Sequence, residues 1–550
     1  MLKAVMFEEM KELTKKLVAI PSINGSSGEA AIADFIYGYV SGMPYFQRHR
    51  QDVFTQALPK DQLGRKNVFA LLRGTKGNSK NTLIFHGHMD TVGVEDLGTL
   101  KEFAFDCDRL AEEMKKLPQT EEVRRDLESG EYLFGRGASD MKSGDAVFLV
   151  LLKHLSAHPE ELDGNILFMF NPVEENHHTG MITGLEILKQ FQEKEGLQYL
   201  FAVNNDYICP LYAGDSKRYI YTGTMGKILP CMYVLGKETH VGQCYEGVNA
   251  VNLASRIVQA IDLNADLCDA YDGELALPPV ALKLRDLKPW YNVQTAREAF
   301  AYFSYMIEDG ETADILHRLR DLSQHILDDM IACQQEQLRT YSQAAGIPYK
   351  PPAFEGKVYL FEELMALAAE RELVHIEQNL AELAVRGREN HDDARDIALA
   401  AVQELCRQLQ LSGPAVVLFI APPYLPHNTL HRDKPDEALL MKGLERIAGD
   451  MSAQTGETFE VLHFFPSLSD SSYLKIDDSP ASVAALTHNF PVHEQLFPLP
   501  MDMIRQLSIP GINYGCYGKD AHKRTERLYM PYSFGILPEL ILKTIYTYLA

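Results

Sequence analysis

Polar residues that could bind a metal ion follow several short apolar runs in this sequence. His88 and Asp90 come directly after the apolar run 82–85. A histidine at the end of a strand can give one ring nitrogen to a metal, and a carboxylate two residues later can accept the other N–H and fix the tautomer. A turn that is merely rich in His and Asp is an equally good interpretation of this motif taken alone.

A glycine-rich run, 135–144, contains Asp140 just before a predicted helix. Asp140 could be only an N-terminal helix cap. A carboxylate has two oxygens, however, and could equally bridge two cations. Both interpretations are kept at this point.

Two adjacent carboxylates, Glu174 and Glu175, follow the predicted strand 166–170. Neighbouring carboxylates repel each other, so at a strand end they indicate a solvated loop or a cation between them. One could bind the metal while the other accepts a proton from water. His177 and His178 are alternative ligands that we rank lower, as loop histidines that could touch substrate.

Two further candidates also lie beyond predicted strands. Asp206 follows the run 200–203, and His522 lies in a glycine-punctuated loop after the run 511–514. Each signal is weak alone, but together they give two histidines and three carboxylates, which we expect at one edge of a sheet. This mixed nitrogen and oxygen set suits zinc, cobalt or manganese.

The elements that must position these residues alternate between short apolar strands and amphipathic helices. That alternation predicts an α/β fold with a mostly parallel sheet flanked by helices. Polar side chains at the carboxyl ends of such strands lie where open α/β sheets build their sites. Near residue 221 the pattern changes, and a second α/β domain enlarged by long helices is predicted for residues 222–427. Residues 1–221 and 428–550 are then the two parts of the first domain.

Composition excludes several classes of function. The 550 residues predict at least two domains, and the formal charge is 53 − 76 = −23. Such a charge repels nucleic acid and anionic membranes. The eight cysteines are scattered, which is typical of reduced thiols, and the apolar run 415–421 is far shorter than the roughly 20 residues of a membrane-spanning helix. The N-terminal residues lack the pattern of a signal peptide. We therefore expect a cytoplasmic protein without nucleic-acid or membrane partners.

The ordered set of motifs resembles a family, the co-catalytic di-zinc metallopeptidases (peptidase family M twenty). Its members include aminoacylases, carboxypeptidases, dipeptidases and desuccinylases. Within that family the sequence looks most like arginine-utilisation proteins of the Roc B type, because of the runs 219–224 and 518–526. The motifs that carry the resemblance span nearly the whole chain: His88-x-Asp90, Gly135-x-Gly137 to Asp140, Glu174-Glu175, Asp206, Gly236 to His240, and His522.

The resemblance implies a role for each of these residues. Two divalent metal ions would be bound, with zinc as the first choice and cobalt or manganese as alternatives. Asp140 would bridge the two ions. His88 and Asp206 would complete one metal site, and Glu175 and His522 the other. Glu174 would be the general base, and Asp90 would orient His88. The inserted domain would be a lid that often pairs with a second subunit, so a homodimer through the lid is expected.

The lid would also contribute to substrate binding. His240 would contact the substrate, and Asn292 marks the start of the lid strand that binds substrate in many relatives. The arginine that binds a substrate carboxylate in those relatives falls at Tyr305 here, and His177 stands where the family usually has glycine. Recognition of a free α-carboxylate is therefore left open.

The function expected from these residues is metal-activated hydrolysis of an amide or peptide bond in a small amino-acid-like substrate. An N-acyl amino acid deacylase with the same metal site is the alternative enzyme. A catalytically silent member that binds an amino acid is the alternative from another class. Retention of both the ligand set and Glu174 argues against silence, because a binding protein needs no base.

Overall fold

The computed structural model describes residues 2–550, which fall into two compact units. The first unit comprises the chain up to Thr224 together with Asn428–Ile476 and Pro500–Ala550, and the second comprises Met225–His427 and Asp477–Leu499. The sequence analysis assigned residues 477–499 to the first domain. The structure instead joins them to the second unit, where the Asn489 backbone oxygen accepts a hydrogen bond from the Ile420 amide at 2.7 Å.

The helices lie throughout both units. In chain order they are α1 (Leu2–Val18), α2 (Gly28–Ser41), α3 (Pro44–Arg48), α4 (Cys107–Lys115), α5 (Glu121–Ser129), α6 (Lys142–Ser156), α7 (Thr179–Glu195), α8 (Ala250–Ile261), α9 (Thr312–Ala345), α10 (Phe361–Glu370), α11 (Ile376–Glu389), α12 (Ala394–Gln408), α13 (Pro435–Thr455), α14 (Pro480–His488), α15 (His493–Leu496), α16 (Met501–Leu507), α17 (Met530–Gly535) and α18 (Leu537–Leu549).

The strands form one large sheet in each unit and several short pairings. In chain order they are β1 (Val53–Ala57), β2 (Lys66–Arg73), β3 (Asn81–His88), β4 (Tyr132–Phe134), β5 (Asn165–Asn171), β6 (Gln198–Asn204), β7 (Arg218–Tyr221), β8 (Gly223–Thr224), β9 (Gly226–Ile228), β10 (Pro230–Leu235), β11 (Ala270–Tyr271), β12 (Glu274–Leu275), β13 (Val280–Asp286), β14 (Glu298–Ile307), β15 (Lys357–Leu360), β16 (Ala415–Ile420), β17 (Asn428–Thr429), β18 (Phe459–Leu462), β19 (Gly511–Asn513), β20 (Gly518–Lys519) and β21 (Arg527–Tyr529).

The large sheet of the first unit has the strand order β1-β2-β5-β3-β6-β19-β7-β18. The neighbours of β3, which are β5 and β6, run parallel to it, and β19 runs parallel to β6. The edge pairs β1–β2 and β2–β5 are antiparallel. The sheet is therefore mixed, with a parallel part at its centre, where the carboxyl ends of the four strands β5, β3, β6 and β19 meet.

Burial explains why these segments form a central sheet. Every residue of β5 is buried, and so are all residues of β3 except the first. Helix α6 packs against this sheet with both of its sides covered, from Lys142 through Leu152. Strands buried on both faces read as continuous apolar runs rather than as an alternating pattern, as the sequence of β5 does.

Strand β4 belongs to a different sheet from the one expected. It pairs antiparallel with β21, which pairs with β20, so these three short strands form a separate sheet. The loops before α6 and between β20 and β21 leave from this small sheet. Asp140 therefore follows β4 and His522 follows β20, both strands of the small sheet, and not a strand of the large sheet.

The second unit is built on a sheet with the order β13-β14-β10-β16-β15, to which β9 adds through β14. Helix α9 has 34 residues. Helices α10 and α11 are separate because Glu372 takes a left-handed conformation (φ 55°) between them. Within the described part of the chain, no helix is both long enough and apolar enough to cross a membrane.

Candidate metal and catalytic site

Strand β3 presents His88 at its carboxyl end, where the side chain is 2% exposed. Its Nε2 lies 3.0 Å from Asp140 Oδ1, and its Nδ1 lies 3.1 Å from the Asp90 backbone oxygen. The Asp90 carboxylate is farther from Nδ1, at 3.7 Å. The oxygen closest to Nδ1 is thus a backbone carbonyl, whereas the sequence analysis expected the carboxylate.

The Asp90 carboxylate, which is fully buried, fixes the backbone of the glutamate pair. Its two oxygens accept the amide N–H groups of Glu174 and Glu175, each at 3.1 Å, and one of them also accepts Asn24 Nδ2 at 2.8 Å. Burial opposes ionisation, but the nearby His88 and the hydrogen bonds from Asn24 and the Glu175 amide lower the pKa of Asp90 overall. Asp90 is therefore an anion whose two oxygens hold the backbone turn at Glu174 and Glu175, the glutamate turn.

Asp140 lies between two histidines. Its Oδ1 is 3.0 Å from His88 Nε2, and its Oδ2 is 3.0 Å from His522 Nε2. Burial alone would raise the pKa of this carboxyl group, but the hydrogen bonds from His522 and His88 outweigh it and lower the pKa. The residue at the cap position of α6 is Met141. The alternative of a simple helix cap is therefore excluded for Asp140.

A second network fixes the backbone at Asp140. Glu526 Oε1 accepts the amide N–H groups of Ser139 at 3.2 Å and Asp140 at 3.4 Å. The other Glu526 oxygen accepts Arg136 Nη1 at 2.7 Å, and Arg136 is itself 2% exposed. The sequence analysis missed Glu526; its position four residues after His522, inside a charged run, was the available signal.

His522 joins Asp140 to Glu175. Its Nε2 lies 3.0 Å from Glu175 Oε1, the same distance as from Asp140 Oδ2. Hydrogen bonds to Asp140 and Glu175 raise the pKa of His522 to about 11. The side chain is 46% exposed, so this corner of the site is open to solvent.

Asp206 follows β6 and is 4% exposed. Its Oδ1 accepts the Tyr207 amide at 2.8 Å. Burial and the neighbouring Asp140 raise the pKa of Asp206 well above its usual value. Gly515 packs so closely on the Asp206 backbone that a Cβ there would come within 1.7 Å of the Asp206 carbonyl oxygen, which explains why glycine occupies that position.

The charges of this cluster fit a divalent cation. His88, Asp140 and Glu175 each offer one ligand atom, and these atoms lie within 4.8 Å of one another. Burial raises the pKa of Glu174 and of Glu175, and nearby carboxylates raise both further. The four carboxylates of Asp140, Glu174, Glu175 and Asp206 outnumber the two imidazoles, His88 and His522, that contact Asp140, so negative charge is in excess. Bound cations would compensate that excess, as buried charges require.

The two predicted substrate-binding residues lie in the second unit. His240 and Asn292 are exposed and belong to neighbouring loops, since the Val241 amide donates to the Val293 carbonyl at 3.0 Å. The Gly242 amide donates to His240 Nδ1 at 3.0 Å. A neutral ring that accepts at Nδ1 carries its proton on Nε2, so His240 presents a donor there. Asn292 Oδ1 accepts the Gln294 amide within its own turn.

Tyr305, at the position of the carboxylate-binding arginine, is a core residue. It is 2% exposed and donates its hydroxyl to the Leu267 carbonyl at 2.5 Å. The phenol hydroxyl is therefore used inside the second unit, and Tyr305 does not replace the arginine as an anion-binding group.

Comparison with known proteins supports one family. The model described as "Peptidase family M20/M25/M40" matches residues 84–207, which contain four of the five proposed ligands. The chain is 40% identical over 537 residues to Protein RocB of Bacillus subtilis (strain 168), covering 98% of this chain and 94% of that protein. It is 25% identical over 261 residues to a succinyl-diaminopimelate desuccinylase of Sulfurimonas denitrificans, covering 47% of this chain and 58% of that protein.

A solved structure supports the fold alone. A tripeptidase from Staphylococcus aureus subsp. aureus Mu50 aligns with a TM-score of 0.52 and 15% identity, covering 98% of each chain. At that identity the likeness concerns the α/β architecture and not the substrate.

Removal of the shared carboxylate tests the ligand set. We expect Asp140→Asn to lose nearly all bound metal, because the amide keeps the side-chain shape but provides neither the charge nor the second anionic oxygen that lies between His88 and His522. Metal content by plasma mass spectrometry after equilibration with zinc measures this. Glu112→Gln, which changes an exposed carboxylate on α4, is the matched control and should keep the wild-type content. Full metal occupancy in Asp140→Asn would contradict the assignment.

Proposed function

This chain belongs to peptidase family M20/M25/M40 and is a metal-dependent hydrolase of peptide or amide bonds, and we propose that its substrate is a small amino-acid-like molecule with a linear amide bond. The observation that carries this proposal is the place of Glu174. It lies 3.9 Å from His88 Nε2, beside the cluster of ligand atoms but outside it. A carboxylate in that position is available for proton transfer.

We propose two divalent cations at the site, with zinc first and cobalt or manganese as alternatives. Asp140 would be shared, His88 and Asp206 would complete one position, and Glu175 and His522 the other. A mixed set of imidazole and carboxylate ligands supports this choice of metals. When bound, the cations would polarise the scissile carbonyl and lower the pKa of a water molecule.

The protein's own groups would then move the proton. Glu174 accepts a proton from the attacking water and delivers it to the leaving amine. Asp90 holds the amides of Glu174 and Glu175, so the base and the adjacent ligand keep a fixed relation to each other.

His240 would contribute from the second unit. Its Nε2–H is the donor that its Nδ1 contact with Gly242 leaves available. A donor aimed at the oxygen on which charge develops stabilises the transition state. We propose that His240 donates to the substrate carbonyl oxygen and that Asn292, in the adjacent loop, contacts the substrate.

An N-acyl amino acid deacylase is the second candidate. The desuccinylase similarity, although it covers only part of each chain, favours an acyl amide over a peptide. Arginine utilisation is the physiological context that we propose, because the sequence resembles arginine-utilisation proteins of the Roc B type and is 40% identical to Protein RocB. Cytoplasmic location is proposed from the composition and the scattered cysteines.

A screen of dipeptides and N-acyl amino acids with the metal-loaded protein tests the proposal. We expect hydrolysis of at least one class, and Glu174→Gln should lower kcat by about 10²- to 10⁴-fold, the usual cost of losing a general base, while metal content stays intact. Loss of metal together with activity in Glu174→Gln would indicate that Glu174 is the metal ligand and Glu175 the general base. Amino-acid binding without turnover in the wild type would favour the silent binding protein instead.

The role of His240 is tested by its removal. His240→Ala should lower kcat by about 10²- to 10³-fold, as loss of one oxyanion donor does, with metal content unchanged. His325→Ala, an exposed histidine on α9 of the same unit, is the control and should keep the wild-type rate. A wild-type rate for His240→Ala would remove this residue from the mechanism. Recovery of activity in mixed His240→Ala and Glu174→Gln oligomers would indicate action across subunits.

We propose that the second unit forms a homodimer through β13. This strand ends its sheet, and Val280, Leu282 and Leu284 are 39%, 52% and 42% exposed. An edge strand with exposed apolar side chains is a template for pairing with another chain. We expect a dimer by light scattering, and a monomer for Leu282→Glu. Leu439→Glu, which changes a 70% exposed leucine on α13, should leave the dimer intact. A monomeric wild type would contradict the proposal.

A further inference from the structure

A buried histidine and aspartate form a pair next to the catalytic cluster that the proposed mechanism does not yet use. His178 Nδ1 lies 2.8 Å from Asp470 Oδ1, and both residues are 2% exposed. The two residues are far apart in sequence, so the pair exists only in the folded chain. A carboxylate only accepts, and His178 Nδ1 is therefore the donor in this bond.

The His178 ring is held in place by its surroundings. Its backbone has φ 53°, a left-handed conformation that non-glycine residues rarely adopt, and its amide donates to the Val173 carbonyl at 2.8 Å. The Tyr473 ring packs against the imidazole with centroids 5.3 Å apart. The second Asp470 oxygen accepts a hydrogen bond from Asn171, the last residue of β5. The pair is thus anchored to the strand that leads into the glutamate turn.

Glu174 lies between this pair and the proposed metal ligands. His178 Nδ1 is 3.9 Å from Glu174 Oε1, and His88 Nε2 is 3.9 Å from Glu174 Oε2. Both distances are longer than a hydrogen bond, and the His178 Nδ1 proton is already donated to Asp470. The His178 ring therefore restricts Glu174 Oε1 by contact and not as its hydrogen-bond donor. One oxygen of the base therefore faces His178, and the other faces the ligand cluster.

A fixed orientation matters because Glu174 is surrounded by like charge. Asp470, Glu175 and Asp206 all act on it electrostatically. An unrestrained glutamate would rotate away from these carboxylates, and a base displaced by about 1 Å can cost roughly 10²-fold in rate. The His178 ring, fixed by Asp470, occupies the space beside Glu174 Oε1 on the side away from the ligands and limits that rotation.

We propose that His178, oriented by Asp470, is a positioning residue for Glu174 that keeps Glu174 Oε2 directed at the metal site. The proposal rests on the general-base role proposed above for Glu174. It differs from the earlier alternative of His178 as a ligand, since the ligand-atom cluster found among the described residues contains His88, Asp140 and Glu175 and not His178.

Two substitutions separate the side chain from the unusual backbone. Asparagine tolerates the left-handed conformation and keeps a planar side chain whose N–H can still be donated to Asp470, whereas glycine tolerates the conformation and leaves the space beside Glu174 empty. We expect His178→Gly to lower kcat by about 10²-fold with little change in KM or metal content. His178→Asn should recover a substantial part of that loss. Equal kcat values for the two variants would overturn the proposal.

His391→Gly is the matched control for the glycine substitution. His391 also has a left-handed backbone (φ 60°), but it is exposed and lies in the second unit. This variant should keep the wild-type kcat. A similar fall in both glycine variants would indicate a general effect of glycine and overturn the positioning role.

A double-mutant cycle distinguishes positioning from simple stabilisation. If His178 acts through Glu174, adding His178→Gly to Glu174→Gln should not lower kcat further. An additive fall would show that His178 acts elsewhere and would overturn the proposal. Thermal unfolding of each variant checks that the folded fraction is the same.

A crystal structure of the metal-loaded His178→Gly variant tests the inference without any assay. We expect the Glu174 carboxylate to rotate away from His88 in this variant and to keep its place in His178→Asn. An unchanged Glu174 side chain in His178→Gly would overturn the inference. Failure of the hydrolase proposal would show instead as absence of turnover in the wild type, so the two outcomes are distinct.

Discussion

Asp140 places its two carboxylate oxygens 3.0 Å from two different histidines, so the two halves of the site meet at this side chain. Burying a charge is costly unless it is paired. His88 and His522 pair with Asp140. Bound cations would compensate the remaining negative charge of the buried carboxylates around it. The Arg136–Glu526 network fixes the Asp140 backbone, which keeps this shared oxygen pair in register with both histidines.

The turn at Glu174 and Glu175 likewise depends on a buried carboxylate that is paired by hydrogen bonds. Asp90 uses both of its oxygens to hold the amides of Glu174 and Glu175. Val173, a β-branched residue, adopts φ 71° just before them, a conformation that persists only where its surroundings impose it. The left-handed turn at Val173 and the buried His178–Asp470 pair both lie beside Glu174, the proposed base.

In the second unit, local contacts fix the two residues that are proposed to bind substrate. The Gly242 amide sets the tautomer of His240, and the paired loops at Val241 and Val293 keep His240 and Asn292 adjacent. Tyr305 is buried and donates its hydroxyl to Leu267, so this hydroxyl is used inside the second unit.

The sequence by itself determined the α/β class, the four central strands β3, β5, β6 and β19 and the candidate ligands, because buried strands appear as apolar runs and polar residues follow them. The tertiary structure alone decided which of these residues meet. Asp140 and His522 arrive from a separate small sheet, residues 477–499 join the second unit, and Asp470 reaches His178 across almost 300 positions. Such contacts depend on long-range packing between distant segments, and no local periodicity records them.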